Sequence, residues 1–208
     1  WTSPMRESVH KILSFRPDEN KKGKSSFTGN KKKDRASVTV LASGDPLCYG
    51  VATKLLRHLP IDEICIKPAL STFSLICSRV GWSLPDIETL TLHGRPLEML
   101  HPFVQPGAKL AVLSKDSGTP KKTAELLVNR GFGKSEITVL EHLDGSKEKK
   151  FSGRADSWQH SAGADLNAMA IECIPVRNAD VIPRIPGLPD DAFNHDGQLT
   201  KCEIRAVV

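Results

Sequence analysis

Residues 41–60 read LASGDPLCYGVATKLLRHLP and follow the β-branched run Val38-Thr39-Val40. The apolar stretch 38–42 predicts a strand. It stops at Ser43-Gly44-Asp45-Pro46, a cluster of turn formers. Residues 50–58 resume with apolar positions at helical spacing, which predicts a helix. A buried strand, a glycine turn and then a helix is the repeating unit of an open α/β sheet. In such sheets ligands bind at the carboxyl ends of the strands.

The same texture extends outward. Ile64-Cys65-Ile66 predicts a short buried strand closed by Pro68, and Ser71 opens a helix that Gly81 ends. Residues 89–93 predict a further strand, stopped at Gly94. After Gln105-Pro106-Gly107 come a strand at 109–113 and a helix from Thr119-Pro120 to Arg130, with Gly131 as its stop. Residues 137–143 and 147–151 flank Asp144-Gly145, a hairpin signal. An apolar strand follows at 167–174. Two successive α/β domains are expected, at 1–106 and 107–175, the second with antiparallel strands. From Pro175 onward four prolines, Pro175, Pro183, Pro186 and Pro189, lie in a stretch with little periodicity, so residues 176–208 suit a linker. Thr200-x-x-Glu203 then opens a helix at 204–208, so more chain is expected to follow.

At the other end, Pro4 with Met5, Val9, Ile12 and Leu13 predicts an amphipathic helix. The basic segment 17–36 reads as a solvated loop. Seven lysines and arginines against three carboxylates there account for +4 of the chain's net +5. The remainder is close to neutral. Together with an aromatic content of 5 %, that argues against a nucleic-acid-binding surface, which needs basic patches and stacking platforms. The five cysteines never form a C-x-x-C pair, which argues against a disulfide scaffold or structural zinc and for a reducing, cytoplasmic setting. No apolar run is long enough to span a bilayer.

Three loops at strand ends could carry chemistry. Gly44 lets a backbone approach a ligand, and the Asp45 carboxylate can accept hydrogen bonds, although a Gly-Asp-Pro tripeptide is usually just a turn. Ser71 and Thr72 are either a helix cap or donors to a ligand carboxylate. His93 and Arg95 form either a surface turn or a site for a carboxylate. No nucleophile–base pair or metal-ligand spacing is present, so no catalytic residue is assigned.

The order and spacing of these loops is more specific than any one of them. LASGDPLCYGVATKLLRHLP at 41–60 and PALSTFSLICSRVGWSLPDIETLTLHGRP at 68–96 resemble the tetrapyrrole methylase family. Gly118-Thr119-Pro120, Arg130-Gly131-Phe132-Gly133, Thr138-Val139-Leu140-Glu141 and Leu166-Asn167 continue the likeness. It covers residues 1–174 apart from the basic loop. The resemblance implies an S-adenosyl-L-methionine (SAM)-dependent C-methyltransferase of cobalamin biosynthesis, with a precorrin as substrate, a meso carbon as acceptor and S-adenosyl-L-homocysteine as product. It implies a cofactor cleft between the two domains. Gly44, Asp45, Val51 and Ala52 would line it, and Ser71 and Thr72 would face the methionine end. Leu113 and the edge at Asn167, Ala168 and Met169 would approach the adenine, with His93 and Arg95 toward the macrocycle. The family's opening strand and glycine-rich loop have no counterpart, so a shortened N-terminal domain is expected. A homodimer, and fusion through 176–208 to a C-terminal methyltransferase and decarboxylase module, are also implied. Another substrate on the same fold, or a nucleic-acid-binding or dimerisation module, are the competing readings.

Overall fold

The computed structural model describes residues 38–207. The helix expected from Pro4 and the basic segment 17–36 lie outside them. The described residues fall into two compact units that divide after Ser71.

Residues 38–71 are held mostly by turns. The helix expected at 50–58 is reduced to α1, Ala52–Leu55, continued by turns in which the His58 and Leu59 amides donate to the Leu55 carbonyl. Ala52 and Leu55 are its buried residues. The strands expected at 38–42 and 64–66 are absent among the described residues. Val38 is 45 % and Leu41 81 % exposed, and Cys65 is exposed too. The reason is physical: strand-forming side chains become a strand only when a neighbouring chain takes up their amides and carbonyls.

Residues 72–207 contain a five-stranded mixed sheet. Its strands are β1 (Glu88–Thr91), β2 (Lys109–Leu113), β3 (Glu136–Glu141), β4 (Lys149–Arg154) and β5 (Asn167–Glu172). The spatial order is β1-β2-β5-β3-β4. β1 and β2 are parallel, and the other pairs are antiparallel. The sheet thus takes β1 from before the 105–107 turn and four strands from after it. β2 and β5 are central, and their apolar runs are buried: Leu110, Ala111, Val112, Met169 and Ile171 have no exposed surface. Unbroken apolar strands of this kind need cover on both faces. β4 lies at an edge, where exposed Lys149 and Lys150 blunt it against further pairing.

Helix α2 (Thr72–Val80) buries Phe73, Ile76 and Cys77 and packs on β2 and β5. It ends at Gly81, with the Trp82 amide donating back to the Cys77 carbonyl at 3.1 Å. Helix α3 (Thr119–Asn129) starts with proline in its first turn. Its end is a six-to-one closure, Phe132 amide to Leu127 carbonyl at 2.7 Å, around Gly131 at φ +75°. A Cβ on Gly131 would also stand 2.7 Å from the Ala179 Cα. That position therefore requires glycine twice over, for its dihedral and for the close approach of the chain that follows β5.

That following chain, expected as linker, is tied down over part of its length. Arg130, only 4 % exposed, donates to the His101 carbonyl at 2.6 Å and the Asp180 carbonyl at 2.7 Å. Gln105 Nε2 donates to the Ile182 carbonyl at 2.7 Å, and Arg184 pairs with Glu88 at 2.5 Å. Helix α4 (Cys202–Val207) begins two residues earlier than expected. Among the described residues no helix is long and apolar enough to cross a membrane.

Candidate functional site

The residues picked out in 38–71 lie on two loops. Gly44 adopts φ +76°, which opens the turn after residue 43. Asp45 then folds its carboxylate back over the chain. Its Oδ1 accepts from the Leu47 amide at 2.8 Å and the Cys48 amide at 3.0 Å, and its Oδ2 accepts from the Ala69 amide at 3.3 Å. Hydrogen bonding from Leu47, joined by Cys48 and Ala69, holds this carboxyl below the usual carboxylate range. Gly50 closes the loop: a Cβ there would lie 2.3 Å from the Pro46 carbonyl oxygen, so no other residue fits without moving the turn. Val51 caps α1 in helical geometry, and Ala52 is buried beneath it, its amide bonded to the Pro46 carbonyl at 3.0 Å. Ser71 is half-buried and already engaged in an interaction, immediately before α2.

The other chosen residues in 72–207, apart from Thr72, gather along one end of the sheet. Because β2 runs parallel to β1 and antiparallel to β5, the carboxyl ends of β1 and β2 meet the start of β5. The register sets Thr91 beside Leu113, Leu113 beside Ala168, and Asn167 beside Glu141. His93 and Arg95 leave the same edge on an exposed turn with Gly94 at φ +70°. In that turn the His93 amide donates to Thr91 Oγ1 and the Arg95 amide to the Leu92 carbonyl. Thr72 stands apart, in the first turn of α2.

Asn167 carries the most chemical information on this edge. It is 9 % exposed, and its Nδ2 donates to the carbonyls of Ala164 at 2.8 Å and Asp116 at 3.2 Å. Its Oδ1 is buried without a partner. Ser114, which the sequence reading passed over, has the same property: its Oγ is buried and unbonded, and its amide donates to the Asn167 carbonyl. Two orphaned oxygens at one strand end are costly unless a ligand or water uses them. Ser114 directly follows a predicted strand, which was the available signal. Ala168 and Met169 are 2 % and 0 % exposed, so the edge offers their backbone and not their side chains.

Beside Asn167 lies a cavity of about 60 Å³, lined by Ser117, Gly118, Glu141, Trp158 and His160 among others. Glu141 is 5 % exposed and accepts the Ala164 amide at 2.8 Å. Among the described residues no group of three or more His, Cys, Asp or Glu could hold a metal ion.

A sequence model of the Tetrapyrrole (Corrin/Porphyrin) Methylases matches residues 14–157. The chain belongs to the tetrapyrrole methylase family. It is 39 % identical over 207 residues to a precorrin-6Y C(5,15)-methyltransferase (decarboxylating) of a Sinorhizobium species, a match covering 100 % of this chain and 46 % of that protein. It is 31 % identical over 112 residues to the cobalt-precorrin-7 C(5)-methyltransferase of Salmonella typhimurium (strain LT2), covering 54 % of this chain and 55 % of that one. The chain spans about half the length of these curated relatives. Among solved structures, the methyltransferase CobJ superposes with a TM-score of 0.52 at 14 % identity over 62 % of each chain, a likeness of fold alone. Every loop singled out from the sequence up to Arg95, and Leu113 as well, falls inside the segment that matches the tetrapyrrole methylases; Asn167, Ala168 and Met169 lie beyond it.

Proposed function

We propose that this chain is a SAM-dependent methyltransferase module that methylates C5 of a precorrin. The observation that carries the reading is the pair of relatives. One is named for both C5 and C15 and matches over the whole of this chain; the other is named for C5 alone and matches over about half of it. C5 is the position the two names share. Decarboxylation and the second methylation are assigned to the half of the longer relative that this chain does not span. A cytoplasmic homodimer joined to such a second module completes the reading.

Two unpartnered oxygens support a cofactor contact at one point. The buried acceptors Asn167 Oδ1 and Ser114 Oγ lack donors, and an exocyclic amine such as that of adenine supplies them. The loop at Gly44 and Asp45, with Val51, Ala52, Ser71 and Thr72, is assigned to the amino-acid end, and Leu113 with the backbone of Ala168 and Met169 to the purine. When bound, SAM supplies a methyl group made electrophilic by its sulfonium sulfur. The protein's own task is to hold the acceptor carbon in line and keep water away, and orientation of this kind is worth roughly 7–11 kcal/mol. Arg95 and His93, exposed at the end of β1, are assigned to the peripheral carboxylates of the macrocycle, for which a guanidinium fork is suited. No step in this account needs a side-chain nucleophile.

Calorimetric titration of S-adenosyl-L-homocysteine into the chain tests the assignment. Saturable binding is expected, weakened about ten-fold or more in Asn167→Ala, because a lost hydrogen bond from a buried group costs about 1–3 kcal/mol. Equal affinity in the variant would remove Asn167 from the site, and no binding by the unaltered chain would contradict the reading.

A further inference from the structure

The Asp45 carboxylate is bonded within the protein itself. Both of its oxygens are already engaged by backbone amides, and the two ends of the carboxylate serve different segments. Oδ1 closes a local turn with Leu47 and Cys48, two and three residues on. Oδ2 reaches Ala69, 24 residues away. The second contact lands on the loop that ends at Ser71. Close approach of the two loops shows again at Gly44, where a Cβ would lie 3.6 Å from the Leu70 carbonyl oxygen. No strand ladder joins the two loops among the described residues, so the carboxylate supplies a cross-link that a sheet would otherwise provide. Hydrogen bonds to an ionised carboxylate are stronger than neutral ones, which suits one side chain to this work.

We infer that Asp45 is a positioning residue, a tie that sets the Gly44 loop against the 67–71 loop so that both present to the cofactor together. This rests on the reading that these loops hold the amino-acid end of SAM. It assigns the carboxylate to the protein's own amides and leaves the cofactor to the backbone around Gly44 and the hydroxyl groups near the start of α2.

Asp45→Asn separates the two halves of the tie. The amide oxygen replaces Oδ1 for Leu47 and Cys48, while the NH2 group confronts the Ala69 amide, donor against donor. Residue-resolved hydrogen exchange is measured on the ligand-free chain, alongside calorimetry with S-adenosyl-L-homocysteine. Leu110 and Val112, in the central strand, serve as controls for the fold. The expected result is exchange at Ala69 faster by roughly ten-fold or more, with Leu47 and Cys48 little changed, and affinity lowered by a similar factor. Asp45→Ala should speed exchange at all three amides. Unchanged exchange at Ala69 in both variants overturns the tie. Lowered affinity in Asp45→Asn with Ala69 exchange unchanged also overturns it, and returns the carboxylate to direct contact with the ligand. If the unaltered chain binds no S-adenosyl-L-homocysteine while Ala69 responds as expected, the tie stands and the methyltransferase reading fails.

Discussion

Residues 38–71 and residues 72–207 are written in similar sequence but hold their shape by different means. Each contains apolar runs followed by a glycine turn and a helix. In the second unit those runs find partners. β2 lies between β1 and β5, and its three middle residues lose all exposure to water. In the first unit Val38, Leu41, Leu47, Tyr49, Ile61 and Leu70 are exposed, and side-chain to backbone contacts such as those of Asp45 take the place of a ladder. The difference teaches that a strand-like sequence is a necessary condition and a paired neighbour the sufficient one. It also teaches where function is expected to be sensitive to single residues. A sheet edge fixed by five strands tolerates the loss of one contact better than a loop fixed by one carboxylate.

The largest test of this contrast is core truncation. Leu110→Ala in β2 should destabilise residues 72–207 by about 2–5 kcal/mol, measured by urea denaturation. Leu41→Ala, at 81 % exposure, should fall within about 0.5 kcal/mol of the original. Similar losses in the two variants would erase the distinction between the units.

A smaller effect comes from the hairpin turn. Arg79 at the end of α2 pairs with Glu148 through two contacts, 2.5 and 3.0 Å, and Glu148 also accepts the Asp144 amide at 2.7 Å. The Arg79 guanidinium, with that amide, lowers the Glu148 carboxyl from 4.5 to about 2. A depressed carboxylate contributes stability above its unfolded value, and the contribution is lost as pH falls from about 4.5 toward 2. Urea midpoints measured across that window should therefore drop more steeply for the original chain than for Glu148→Gln. Parallel curves would show that the pair contributes nothing measurable, as is common for ion pairs near the surface.

Much of the sheet unit was legible from sequence because its signals are local. The strand at Lys109–Leu113 is an apolar run bounded by Gly107, and α3 is framed by Pro120 and Gly131; both were expected within a residue of where they lie. The strand order was not legible. Placing β5 between β2 and β3 depends on pairings between residues far apart in sequence. The hairpin at Asp144-Gly145 formed, but its connection runs from 142 to 148, with His142 and Asp144 at positive φ and Glu148 closing it. A dipeptide signal does not reveal how far apart the strands part company. The site was legible as a set of loops, and the sheet edge does bring Leu113, Asn167 and Ala168 together. What sequence could not show is hydrogen-bond saturation. Asp45 resembled an open acceptor but has its oxygens engaged, whereas Ser114, not singled out from the sequence, has a buried hydroxyl without a partner.

The central claim is methyl transfer to C5, and it is tested most directly by product analysis. The chain is incubated with precorrin-6Y and SAM labelled with carbon-13 in its methyl group, and the tetrapyrrole is examined by NMR. The account predicts one labelled methyl, at C5, with the substrate's carboxyl groups all retained. Label at C15, or loss of carbon dioxide, would contradict the division of labour proposed for this half of the protein, and an absence of label would contradict the methyltransferase itself.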